Sequence, residues 1–129
     1  MVLAVLFAFC GCAPGANGSV QHHLATDVIE LPPARQFGDI ALEEALLLRR
    51  SVRQYSDEPL ALVEVAQLLW AGQGVTAEWG GRTAPSAGAL YPLEVYLVAA
   101  RVNGIAAGLY HYDPYRHALL PLLAGDLAD

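Results

Sequence analysis

The chain has 129 residues, which suits one modest domain, and carries a formal net charge of −6 at pH 7. Its seven permanently basic residues are all arginines, and an acidic chain without a basic stripe argues against nucleic acid as a partner. A local phosphate site stays open, because it needs only a few well-placed cations.

The N-terminus has the pattern of a targeting segment. Residues 1–12 are apolar apart from Gly11 and two cysteines, and small residues follow. Such a run is too short to span a bilayer and suits the core of a signal peptide. Because Gly11 before Cys12 resembles a bacterial lipoprotein processing site, we predict a signal peptide over residues 1–18, export, and a lipid anchor at Cys12. The alternatives are a buried first helix or strand, and a cytoplasmic protein.

Residues 19–38 are predicted to be a tether and residues 39–129 the folded part. Pro32 and Pro33 favour extended chain at the end of the tether. His22 and His23 have no carboxylate or thiol at ligand spacing, so no metal site is predicted. Both cysteines lie in the first twelve residues, which leaves the folded part without a disulfide or a catalytic cysteine.

An amphipathic helix is predicted over 40–48, with Asp39 as its N-cap and the next arginines in its last turn. Arginine at a helix C-terminus often only caps carbonyls and offsets the dipole, which would explain Arg49 and Arg50. Arg53 lies beyond the helix, and with Ser51 it gives this run the forked donors that suit an anion such as phosphate. The residues alone favour neither reading.

A second helix is predicted over 62–71, ending at Gly72, with Trp70 in the core. The small residues of 84–89 follow, and they would let another group approach the backbone closely. Ser86 is a candidate cap for a short helix starting at Ala87. The alternative is an ordinary turn rich in proline and glycine.

Three strands are predicted over 94–102, 108–112 and 117–122, joined by turns at 103–104 and 113–116. An antiparallel meander that follows helices indicates an α+β fold, and the first strand is apolar enough to need cover on both faces. His111 and His117 are predicted to lie on the strand surface without a partner carboxylate. Ser86 lacks the strand–turn–helix setting of a nucleophile, so no catalytic residue is assigned.

Several of these stretches together closely resemble the nitroreductase superfamily, and most of all its SagB-type dehydrogenase branch. The resemblance covers the chain from about residue 31 onward. It is carried by Arg49-Arg50-Ser51-Val52-Arg53, Leu68-Leu69-Trp70-Ala71, Arg82-Thr83-Ala84-Pro85-Ser86-Ala87-Gly88-Ala89-Leu90-Tyr91-Pro92-Leu93-Glu94 and Gly108-Leu109-Tyr110-His111-Tyr112-Asp113.

The resemblance implies an α+β nitroreductase-like fold, a homodimer and an FMN-dependent oxidoreductase. The flavin would pass electrons from a donor such as NAD(P)H to a small-molecule or peptide substrate. One group of residues would hold the phosphate and ribityl chain of FMN: Arg49, Arg50, Ser51 and Arg53. A second group would lie against the isoalloxazine, reaching flavin bound mainly by the other subunit: Pro85, Ser86, Ala87 and Gly88.

Two departures from the family pattern stand out. Ala89 occupies a position where classical nitroreductases often have asparagine, and family domains continue well past residue 129. We therefore expect the chain to be the N-terminal part of such a domain, truncated at its C-terminus. The chain has no lysine, so nothing favours azoline oxidation. The alternative function is an exported, non-catalytic binding lipoprotein that retains the fold.

Overall fold

A five-stranded sheet forms the framework of the computed structural model, which describes residues 3–9, 27–125 and 127, and only the backbone of residues 3–9. Its strands are β1 Leu3–Phe9, β2 Ile29–Glu30, β4 Leu93–Ala99, β6 Gly108–Asp113 and β7 Ala118–Ala124. Their order in the sheet is β1-β4-β6-β7-β2, and every neighbouring pair is antiparallel. A second, two-stranded sheet pairs β3 Leu60–Ala61 with β5 Val102–Asn103 in parallel. The predicted α+β class and the meander are confirmed.

The helix α2, Leu62–Gln73, packs across one face of this sheet. Its apolar residues recur at helical spacing, so Val65, Ala66 and Leu69 are buried on one side. The inward-facing residues of the sheet complete the core: Val95, Leu97, Ala99, Tyr110, Tyr112 and Leu119. The predicted face of this helix is confirmed, but the helix continues past Gly72 and ends with Gly74 as its C-cap. Trp70 is only half-buried, against the prediction that it lies in the core.

The packed structure reaches further toward the N-terminus than the predicted tether allows. β2 pairs with β7, and the side-chain amide of Gln67 makes two hydrogen bonds to the backbone of Arg35. Its Oε1 accepts from the Arg35 N–H at 2.7 Å, and its Nε2 donates to the Arg35 carbonyl at 3.1 Å. Residues 29–35 therefore belong to the domain. The two-residue strand was missed because its own sequence carries no alternation, and only its partner defines it.

The first helix is shorter than predicted. α1 is Leu42–Leu48, its N-cap is Ala41 rather than Asp39, and no side chain caps it. Arg49 is the C-cap, so no arginine lies in the last helical turn. None of the residues of α1 is buried, and Leu47 remains 71% exposed. Within the described residues, the helix leaves its leucine-rich side uncovered.

The outer face of the sheet is only partly covered. Residues along β4 and β6 alternate between buried and half-buried, so the described chain covers one face where the sequence predicted cover on two. β1 places residues 3–9 in a strand against β4, the arrangement that the sequence analysis held as the alternative to a signal peptide. Cys12 and the predicted cleavage region lie outside the described residues. No described helix is both long and apolar enough to cross a membrane.

Candidate functional site

The arginine run leaves α1 as an exposed, extended segment. Arg50 donates from Nη1 to the carbonyls of Leu47 and Arg49, both at 2.8 Å, so it caps the C-terminus of the helix. Arg49 and Arg53 have no carboxylate partner within the described chain, and Ser51 lies exposed between them. The run therefore offers two uncommitted guanidinium groups and a hydroxyl, a donor set that fits a phosphate.

Two other arginines show the contrast. Arg101 pairs with Asp57 at 3.5 Å, and Arg116 pairs with Glu30 at 3.0 Å. Both pairs are exposed and of the kind that contributes little to stability. These pairs show that carboxylates of this acidic chain reach arginines elsewhere, whereas no carboxylate of the described residues pairs with the run at 49–53.

The small-residue tract, defined as Pro85, Ser86, Ala87 and Gly88, forms a tight loop. A 3-10 helix spans Ala87–Ala89, and Ser86 occupies its N-cap position without a side-chain cap bond. The backbone is left-handed at Gly88, with φ +64°, and also at Ala89 and Tyr91, with φ +53° and +42°. Only glycine adopts such angles without cost, so the other two residues are held by their surroundings. A Cβ added at Gly88 would lie 3.7 Å from the side chain of Leu90, which is ordinary contact, so the backbone angle and not a clash is what disfavours a larger residue there.

A set of hydrogen bonds ties the loop into this shape. The Ser86 Oγ accepts from the Tyr91 N–H at 2.9 Å instead of capping the 3-10 helix, which corrects the predicted capping role. The Tyr91 hydroxyl in turn accepts from the backbone N–H of Arg82 at 3.1 Å. Thr83 anchors the start of the loop, since its hydroxyl donates to the Trp70 carbonyl at 3.1 Å. The loop is thus fixed to the end of α2 before any ligand binds.

Arg82 lies at the base of this loop, and sequence reasoning did not single it out as a site residue. Its guanidinium carbon lies 4.9 Å from the centre of the Tyr91 ring and 5.5 Å from that of Tyr115, within cation–π range. Its Nη1 donates to the Oε1 of Gln73 at 3.3 Å. Its Nε is buried without a hydrogen-bond partner in the described residues.

A cavity of about 190 Å³ opens beside the tract. Its walls are mostly apolar, and Gln73 is the buried polar residue among them, at 5% exposure. The lining residues are Gln73, Pro85, Ser86, Tyr91, Pro92 and Leu93. The cavity therefore joins two of the predicted flavin contacts to the end of α2.

Both histidines of the described chain have side-chain partners that the sequence does not predict. His111 lies opposite Tyr96 across β4 and β6, and its Nε2 is 2.8 Å from the Oε2 of Glu94 on the same half-exposed face. The prediction that it lacks a carboxylate partner is wrong. Only strand register brings the two together, although Glu94, the one charged residue of β4, was a usable signal.

His117 is half-buried rather than on the surface. Its Nε2 lies 2.9 Å from the Pro32 carbonyl, which only accepts, so this nitrogen carries the proton. In the neutral ring the Nδ1 then accepts from the Tyr112 hydroxyl at 2.9 Å. Burial, with a smaller effect from the Asp113 carboxylate, raises the pKa of Tyr112 to about 12, while Arg82 acts to lower it. The hydrogen bond to Pro32 helps to hold residues 29–35 to the sheet, which gives His117 a structural role.

No group of three or more potential metal ligands occurs among the described residues. The two predicted sets of site residues lie on separate segments, one after α1 and one after α2, and no described hydrogen bond joins them. Neither set contains a group placed for acid–base chemistry. The arginine run presents donors of the kind that bind an anion, and the tract presents a surface of small residues on a separate loop.

Comparison with known proteins agrees with the geometry. Residues 46–126 match the sequence profile of the nitroreductase family. A provisionally named nitroreductase of Methanocaldococcus jannaschii is 46% identical over 95 residues, which cover 74% of this chain and 46% of that protein. The crystal structure of a provisionally named nitroreductase of Ralstonia eutropha matches with a TM-score of 0.67 and 35% identity, over 95% of this chain and 54% of that one. The chain spans about half the length of these relatives.

Proposed function

The chain belongs to the nitroreductase family, and on that premise we propose that it serves in an FMN-dependent oxidoreductase. The observation that carries the proposal is the arginine run, whose Arg49 and Arg53 have no carboxylate partner in the described chain. The FMN phosphate is a dianion, and forked guanidinium donors match its oxygens. The exposed hydroxyl of Ser51 adds a donor between the two charges.

Each set of residues has a distinct part in holding the flavin. Arg49, Ser51 and Arg53 bind the phosphate and the ribityl chain, and Arg50 joins them with the donors that its helix-capping bonds leave free. The small-residue tract lies against the isoalloxazine of flavin held mainly by the partner subunit of a homodimer. Bound FMN supplies the electron or hydride transfer, and the protein binds and orients it.

Within the family, we propose that the chain belongs to the SagB-type dehydrogenase branch, and the run from Ser86 to Pro92 supports this. The electron donor in this proposal is a reduced nicotinamide or, for an exported protein, another reductant. The acceptor is a small molecule or a peptide. The tightly bonded loop at 82–91 suits this role, because a planar ring needs a fixed surface on which to lie.

A flavin redox cycle tests the proposal. The natural protein, purified or reconstituted with FMN, should show flavin absorbance that bleaches with a reductant and returns with an acceptor. Arg101→Ala, which removes a paired surface arginine, is the matched control and should leave the cycle unchanged. A protein that takes up no flavin would contradict the proposal and would favour the alternative, a non-catalytic binding lipoprotein.

Export is a separate proposal, and it rests on the apolar run that ends at Cys12. We propose processing before Cys12 and attachment of lipid to that residue. The protein should then fractionate with membranes and lose this association in Cys12→Ser. A mature protein that keeps residues 1–12 would contradict processing and would be consistent with β1 as a permanent strand.

A further inference from the structure

Asn103 and Gly104 lie where β5 ends, far along the chain from both sets of flavin residues, and both are exposed. Gly104 has a left-handed φ of +92°, which turns the chain away from the strand. An asparagine followed by glycine is especially prone to lose its side-chain amide, because glycine carries no Cβ to hinder attack by its backbone nitrogen. The pair therefore has a chemistry of its own, apart from its place at the end of a strand.

The two reacting groups are uncommitted in the described chain. No side-chain hydrogen bond among the described residues involves Asn103, although its neighbour Arg101 makes two to Asp57. The Gly104 N–H takes no part in the turn and loop hydrogen bonds of the described backbone. A Cβ added at Gly104 would meet only the side chain of Leu62, at 4.0 Å. The reaction therefore has no hydrogen bond of these two groups to break.

The strand that holds Asn103 is a weak restraint. β5 has two residues and pairs only with β3, which also has two, so Ala61 opposite Asn103 is the last pair of that ladder. The attack requires Asn103 to leave its extended conformation briefly, and an exposed strand end opens at little cost in free energy. Val102 and Ile105 pack against the core on either side. The opening is thus confined to the residues between them.

We propose that Asn103 is a site of spontaneous deamidation, a modification that is independent of the proposed oxidoreductase function. The backbone nitrogen of Gly104 loses its proton and attacks the Cγ of Asn103, and the side-chain nitrogen leaves as ammonia. Water then opens the resulting succinimide ring at one of its two carbonyls, which gives aspartate or isoaspartate. No oxidant, reductant or enzyme is needed, and either product replaces a neutral amide with a carboxylate.

The isoaspartate product alters the start of α2. It routes the main chain through the former side chain, so one extra methylene enters β5 and the pairing of Asn103 with Ala61 is lost. Ala61 is the N-cap of α2, and its N–H donates to the Oε2 of Glu64 at 2.8 Å. The modification therefore loosens both the two-stranded sheet and the first turn of the helix.

Peptide mapping of the natural protein, aged in mildly alkaline buffer, tests the proposal. Trypsin cuts after Arg101 and Arg116, and the peptide 102–116 contains Asn103 as its only asparagine. Its mass reports the change from amide to acid, and methylation by an isoaspartyl methyltransferase reports isoaspartate. Conversion in the folded protein should proceed within about tenfold of the rate in the same peptide made synthetically, because tenfold corresponds to an opening free energy of about 1.4 kcal/mol.

Asn103→Gln is the matched control, since it keeps an amide but must form a larger ring, and it should stay unconverted over the same period. An Asn103 amide that stays intact in the folded protein while the free peptide converts would overturn the proposal.

The structural consequence has a control of its own. Asn103→Asp adds the same charge without lengthening the backbone, so amide hydrogen exchange at residues 60–64 should be faster in aged protein than in this variant. Equal exchange in the two would assign the effect to charge and would overturn the link from the backbone of β5 to α2.

Discussion

The left-handed backbone at Ala89 gives a stability prediction with a defined sign. Ala89 has φ +53° within the loop that carries the small-residue tract. A residue with a Cβ pays roughly 1–2 kcal/mol for this conformation, whereas glycine does not. Replacement by glycine adds unfolded-state entropy that costs about 0.4–1 kcal/mol. Ala89→Gly should therefore raise the free energy of unfolding by about 1 kcal/mol or somewhat less.

The matched control lies two positions earlier. Ala87 belongs to the same 3-10 helix but is not among the residues with positive φ, so Ala87→Gly should lower stability by about 0.5–1 kcal/mol. The measurement is urea or thermal unfolding of both variants beside the wild type, each in the natural protein. One kcal/mol corresponds to about 4–8 °C in Tm for a domain of 60–100 residues. Equal destabilisation by the two substitutions would refute the assignment of strain to Ala89.

Three other outcomes follow from the structure. Gly88→Leu should abolish flavin uptake because its side chain would occupy the surface that the proposal assigns to the flavin ring. Gly104→Leu, at another left-handed glycine with φ +92°, controls for backbone strain and should still bind flavin. Normal flavin binding by Gly88→Leu would make the tract only a turn. The folded-state pKa of Tyr112 lies above its ordinary value of 10.0, so the stability that the neutral phenol contributes is fully present below pH 10 and is lost as pH rises toward 12. The urea midpoint of unfolding should fall over that range, and Tyr112→Phe should reduce the fall. The 129-residue chain expressed alone should aggregate and fail to retain FMN, because α1 and the outer face of the sheet are uncovered within the described residues; a cooperative thermal transition with stoichiometric FMN would contradict this.

Local patterns predicted the elements whose periodicity is self-contained. α2 buries the apolar stripe that its spacing indicates, and the turn at 113–116 forms because the Asp113 carboxylate accepts the N–H groups of Tyr115 and Arg116. The order of the meander followed from three apolar runs, but the first strand ends at Ala99, and Val102 and Asn103 form β5 instead of the end of that strand and the start of its turn. These features depend on neighbours in sequence, so the sequence could specify them.

Features that depend on distant partners were missed. β2 exists only because Ala118 and Leu119 lie beside it, and the pair of His111 with Glu94 needs the register of β4 on β6. The same holds for the candidate sites. The arginine run and the tract could be selected from residue type, whereas the contact of Gln73 with Arg82 requires the loop to fold back on the end of α2. The spacing of residues along the chain does not indicate that the loop returns to contact Gln73.

The central claim is that the arginine run binds the phosphate of FMN, and its most direct test compares two flavins. Kd values for FMN and riboflavin, which lacks the phosphate, are measured for the wild type and for Arg53→Ala. Losing one charge-assisted contact costs roughly 1.5–3 kcal/mol, so the variant should bind FMN about one to two decades more weakly and riboflavin almost unchanged. Equal weakening for both flavins would contradict the assignment of this run to the phosphate.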